Sequence, residues 1–113
     1  MTAVVQILKA LADETRFRII DLLLTHDLCV GALAGRLNIS KAAVSQHLQI
    51  LRKAGLVRGE KRGYWTHYSV NRKVIHAIAE ELIQRADQPP DFRMVHHPSV
   101  SEDLNTANRQ TRE

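Results

Sequence analysis

Apolar positions along this chain recur mostly every three to four residues, the period of a helix with one buried face, and change to alternation only between Leu56 and Val70. Val4, Ile7, Leu8 and Leu11 form a first stripe, which predicts a short helix over Val4 to Leu11. Asp13 is placed to cap a second helix with Glu14 in its first turn. Phe17, Ile20, Leu23 and Leu24 supply its expected core side as far as about His26. Leu28, Cys29 and Val30 have strand-like character. A short helix from about Gly31 to Leu37 follows, with Leu33, Ala34 and Leu37 turned inward and Asn38 at its end. After a brief turn at Asn38 and Ile39, Ser40 is expected to cap a helix that Gly55 ends. Leu56 to Glu60 and Tyr64 to Val70 then read as a hairpin bending over Lys61, Arg62 and Gly63. Asn71 is expected to cap a last helix to about Ala86, with Val74, Ile75, Ile78, Leu82 and Ile83 as its apolar band, before Pro89 and Pro90 end regular structure.

The helix between Ser40 and Gly55 has two chemically distinct sides. Successive 100° steps put Ala43, Val44, His47, Leu48, Ile50 and Leu51 on one side. Lys41, Ala42, Ser45, Gln46, Gln49, Arg52 and Lys53 fall on the other. Ser, Gln and Lys side chains offer donors and acceptors to base edges in a major groove, and Arg52 and Lys53 suit phosphate oxygens. Many amphipathic helices carry a polar side that simply stays wet, so the helix alone leaves both interpretations open. Its neighbours favour nucleic acid, since a short helix stands before it and a basic hairpin after it. The expected fold is thus mainly α with a β-hairpin wing: a winged helix-turn-helix of about five helices and one hairpin. The candidate DNA-binding residues are Ser40, Lys41, Ala42, Ser45, Gln46, Gln49 and Arg52 on the helix. In the wing, Lys61 and Arg62 at the tip and Tyr64 on the strand join them, with Arg58 assisting.

Charge strengthens that expectation. Within Lys41 to Lys73 eight basic residues stand against Glu60 alone, a net of +7 in a chain whose total is +4. A length of 113 residues with 44% hydrophobic content fits one domain, expected over residues 1–87, with a polar and mobile tail over 88–113. The longest apolar runs fall far short of the roughly 20 residues that a membrane-spanning helix needs. Export has no visible leader, which makes the cytoplasm the expected location. One cysteine, Cys29, excludes an internal disulfide and a CxxC cluster. No nucleophile, base and orienting group form a recognisable set, and no glycine-rich phosphate loop exists, so the chain does not read as an enzyme.

The segments LKALADETRFRII, DLCVGALAGRLNIS, KAAVSQHLQILRKAGLV and RGEKRGYWTHYSV together resemble the ArsR/SmtB family of winged-helix repressors over about residues 5–87. The resemblance implies a homodimer that binds double-stranded operator DNA, represses transcription and is released by an inducer. Independently, the stripes Val4, Ile7, Leu8, Leu11 and Val74, Ile75, Ile78, Leu82 exceed what so small a domain easily covers. They are the candidate dimer interface, with filling of the monomer core as the alternative. The inducer that the family implies is a metal, a metalloid or a redox signal. Members that sense arsenic or cadmium often carry a CVC pair where this chain has Cys29, Val30 and Gly31. Members that hold zinc use Asp, His, His and Glu where this chain has Asn71, Lys73, Gln84 and Asp87, so that site is expected to be missing. Cys29 alone supplies one ligand, fewer than a soft-metal site wants, which leaves two routes to a signal: His96 and His97 of the tail swinging onto Cys29, or oxidation or modification of Cys29. His47 reads as a structural histidine, and His76 on the last helix is open between a structural and a ligating role. A winged-helix module that binds protein rather than DNA is the rival function.

Overall fold

A computed structural model describes residues 2–91 of the chain. Among these, α1 (Thr2–Leu11), α2 (Glu14–Thr25), β1 (Leu28–Cys29), α3 (Val30–Leu37), α4 (Lys41–Lys53), β2 (Val57–Arg62), β3 (Trp65–Val70) and α5 (Arg72–Ala86) follow one another. The expected winged helix-turn-helix is therefore the observed fold. Leu28 and Cys29 pair antiparallel with Tyr68 and His67, so β1 joins the hairpin in a three-stranded sheet of order β1-β3-β2.

Local chemistry explains most of the boundaries. The Asp13 carboxylate accepts the Arg16 amide at 3.0 Å and opens α2. Asn38 closes α3 in the left-handed region at φ 59°, a conformation that asparagine tolerates better than most residues. The Ser40 hydroxyl accepts the Ala43 amide at 3.0 Å and opens α4. Gly55, at φ 80°, turns the chain so that the Leu56 amide returns to the Leu51 carbonyl at 2.9 Å. Tertiary contact closes α2, where Arg72 donates to the Leu24 carbonyl at 2.6 Å, satisfying a helix-end acceptor from 48 residues away.

The core gathers one face from each of the first four helices and the root of the sheet. Ile19, Leu33, Val44, Leu48, Leu51 and Leu56 are its fully buried members, and no polar or charged residue is buried among the described residues. Leu48 alone, at 1% exposure, places enough apolar area inside to contribute about 2 kcal/mol.

Four expectations need correction. Phe17, expected in the core, is half exposed, and Ile19 takes the buried place instead, because α2 packs on a face rotated from the one the sequence suggests. Ile50 lies on the rim of α4's apolar side and is exposed, since α4 buries only the Val44, Leu48 and Leu51 line. The hairpin bend is Gly63 and Tyr64 rather than Lys61 to Gly63. Arg62 still pairs with Trp65, and Gly63 supplies the positive φ of 66° that the turn requires. Asn71 precedes α5 but makes no side-chain cap.

Candidate nucleic-acid interface

The physical basis of the interface is the contrast between the two sides of α4. Val44, Leu48 and Leu51 are sealed in the core, while Lys41, Ala42, Ser45, Gln46, Gln49 and Arg52 are exposed. Burial of one line fixes the rotation of the helix and so aims the other line outward. Ser40 stands at the same end, but its hydroxyl oxygen already serves the cap. Lys53 stands apart from Lys41 at the far end of the helix, beside α1.

His47 sits between α4 and α2 rather than on the polar edge. Its Nδ1 accepts from the Arg16 guanidinium at 3.3 Å, and Arg16 Nε donates to the Ala10 carbonyl at 2.7 Å. Because a guanidinium only donates, this ring nitrogen is the acceptor, and Arg16 bridges three helices with the histidine as its partner on α4. Asp13, 3.9 Å from the same ring nitrogen, is held below the usual carboxylate range first by the Arg16 amide and then by the charge of Arg16.

The wing projects beside α4, with Lys61 exposed on β2 and Tyr64 at 97% exposure on the turn. Arg62 is paired within the subunit. Its guanidinium donates to Asp27 Oδ2 at 2.7 Å and to Glu60 Oε1 at 3.3 Å while its side chain stays 48% exposed. The other oxygen of Asp27 accepts from His67 Nδ1 at 2.9 Å. Asp27 therefore ties β2 and β3 to the loop after α2. The Arg62 hydrogen bond, then that of His67, holds its carboxyl below the ordinary range, and the same contact holds Arg62 more firmly charged. Nothing local in the sequence marks Asp27 for this role, since its partners lie 35 and 40 residues away.

Cys29 is half-buried on β1, opposite His67, and lines a cleft of about 280 Å³ with Gly31, Lys41, Trp65 and Tyr68. Among the described residues no three His, Cys, Asp or Glu side chains are grouped to hold a metal ion. Asn71 and Lys73 stand at the start of α5, and Gln84 and Asp87 near its end. His96 and His97 lie outside the described residues.

The candidate dimer stripes are divided. Ile78 is buried within the subunit, and Ile7, Leu11, Val74 and Ile75 pack partly against its core. Val4 and Leu8 are half-buried, whereas Leu82 and its neighbour Ile83 are 44% and 52% exposed.

A family model for bacterial regulatory proteins of the arsR family matches residues 13–58. The transcriptional activator HlyU of Vibrio cholerae is 41% identical over 78 residues, which span 69% of this chain and 72% of HlyU. The chain belongs to the ArsR family. The arsenical resistance operon repressor of Escherichia coli is 42% identical across 73% of this chain and 70% of its own length. Transcriptional repressor SdpR of Bacillus subtilis is 39% identical across 61% and 77%. Among solved structures, reduced HlyU from Vibrio cholerae superposes with a TM-score of 0.63 at 38% identity, covering 77% of this chain and 92% of that one. A homodimeric winged helix-turn-helix DNA-binding domain from Mycobacterium bovis superposes with a TM-score of 0.64 at 29% identity, covering 85% and 89%. This ArsR-family protein is a DNA-binding transcriptional regulator and not an enzyme. No helix among its described residues is long and apolar enough to cross a membrane.

Proposed function

We propose that this ArsR-family regulator is a cytoplasmic homodimeric repressor that reads a palindromic operator with α4. Ser45, Gln46 and Gln49 meet base edges. Lys41, Ala42, Arg52 and the cap at Ser40 lie along the groove wall, and Lys61 and Tyr64 of the wing meet the adjacent backbone. Arg62 holds the wing in place rather than contacting phosphate. The folded unit is residues 1–87, with 88–113 as an appended polar tail. The observation that carries this reading is the polar line of α4, exposed along its length while the opposite line is sealed in the core. Among the described residues, Ser45, Gln46 and Gln49 make no side-chain hydrogen bond that would compete for their donors and acceptors.

Dimerisation through α1 and α5 is supported by the exposed Val5, Leu82 and Ile83, and by the homodimeric relative from Mycobacterium bovis. A two-fold axis between the subunits sets two copies of α4 about one helical turn of DNA, roughly 34 Å, apart. Release by an inducer is what the family resemblance implies, one relative being an arsenical resistance operon repressor, and a metal or metalloid ligand at Cys29 needs donors beyond the described residues.

Selection of a duplex from a random pool, followed by titration at several salt concentrations, tests the proposal. Specific affinity is expected to fall steeply with salt, and Lys61→Ala to reduce the salt slope by about 1. An affinity indifferent to salt, with no sequence enriched, overturns the DNA reading in favour of a protein-binding winged helix.

A further inference from the structure

A pocket of about 320 Å³ opens where α1, α2 and the C-terminal end of α4 meet, remote from the cleft beside the wing. Its apolar lining comes from Ala10, Ile50 and Ala54, and its charged lining from Lys9, Arg16 and Lys53, with no carboxylate among the lining residues. We propose that this pocket binds a small organic anion with an apolar body, such as a medium-chain monocarboxylate, and that the occupant acts as an effector of α4.

Three observations converge on that ligand class. Size comes first, since the volume lies at the lower end of the range typical of small-molecule sites. The second is unbalanced charge. Lys9 and Lys53 have no carboxylate within 4.0 Å among the described residues, and Arg16 has only Asp13 at that limit. Three cations around an apolar hollow repel one another, and an anionic head relieves the repulsion. The carbonyl end of α4 opposes an anion with only about half a negative charge, which the three cations outweigh. The third is construction: Arg16 is held by the Ala10 carbonyl and by His47, so its guanidinium is positioned before any ligand arrives.

Position gives the site its consequence. Lys53 lies about 18 Å along α4 from Lys41, so an occupant need not compete with DNA for the same surface. On α1, Ala10 is buried against the core and Lys9 is exposed beside it. An occupant therefore touches both α4 and the helix proposed to meet a second subunit. A ligand that prefers one arrangement of α1 against α4 shifts the dimer toward it by its difference in affinity. The effector role, though not the binding itself, rests on the operator-binding reading above.

The test uses the full chain, with octanoate, octanol and inorganic phosphate as probes, followed by amide NMR in the absence of DNA. Saturable octanoate shifts centred on Ala10, Ile50 and Ala54 are expected, with octanol and phosphate each at least about tenfold weaker. Lys9→Glu and Ile50→Glu are each expected to weaken octanoate about fivefold or more while the folded spectrum persists. Failure of octanoate to saturate, equal binding of octanol, or unchanged affinity in both variants overturns the proposal. Tighter phosphate than octanoate would mark an inorganic-anion site and overturn it too. If Lys9→Glu weakens a random duplex as much as Lys41→Ala does, the cations belong to the DNA footprint and the pocket proposal fails. Octanoate binding that leaves the affinity of a selected operator unchanged overturns the effector role alone. Octanoate binding with no operator found faults the operator reading and leaves the site standing.

Discussion

The reading helix and the wing lie side by side but are held by opposite kinds of force. Val44, Leu48 and Leu51 anchor α4 in an interior without a single buried polar residue among those described. The wing is fully buried only at its root, where Val57 pairs with Val70, and farther out Asp27 holds it through Arg62 and His67. Apolar anchoring is insensitive to salt and pH and fails only with the core. Exposed ion pairs are weak and screened, and they depend on protonation. The helix proposed to read bases is thus fixed with the fold, whereas the wing proposed to follow the backbone keeps an adjustable attachment.

Leu48→Ala should bring the largest change, a loss of 2–5 kcal/mol in unfolding free energy measured by urea denaturation, because the cavity cannot be filled from a rigid neighbourhood. If the loss were below 1 kcal/mol, α4 would not be core-anchored. Gln46→Ala should leave the denaturation midpoint nearly unchanged. It should cost about 1–3 kcal/mol of discrimination at one operator position, read by comparing a selected duplex with its single-base variants. An equal loss on random DNA would show that Gln46 has no part in base recognition.

The smallest effect on global stability is expected from Asp27→Asn. Its signature is local, with faster amide exchange in β2 and β3 while α4 stays protected. Wild-type protein should show the same loosening in acid. The folded-state affinity of Asp27 for a proton is lowered by Arg62 and His67, so its contribution is complete above the ordinary carboxylate pKa and is lost as pH falls through the lower folded value. The window lies below about pH 4, and neutral conditions should leave the wing attached. Exchange rates in β2 and β3 that do not change in either experiment would mean that the hairpin supports itself and the comparison is wrong.

The parts legible in sequence are those whose cause lies within one or two turns of chain. Asp13 and Ser40 as caps, Asn38 and Gly55 as helix ends, and the two-sided composition of α4 all act over three to five residues, and all appear where expected. Phe17 and Ile50 were less legible because periodicity gives a stripe but not the few tens of degrees of rotation that neighbours select. Arg62 counts as a free cation in any tally of charge, and its neutralisation depends on a carboxylate 35 residues earlier. The cationic pocket has no local signature either, since Lys9, Arg16 and Lys53 come from three separate helices.

By itself the sequence determined the helices, the hairpin, the polar edge of α4 and the family, because hydrophobic period, capping and turn chemistry are encoded in neighbouring residues. Only the tertiary structure decided that β1 completes the sheet, that Arg62 pairs with Asp27, and that three cations surround one apolar hollow. Such contacts join residues far apart in the chain, and it is the packing of whole elements that selects them.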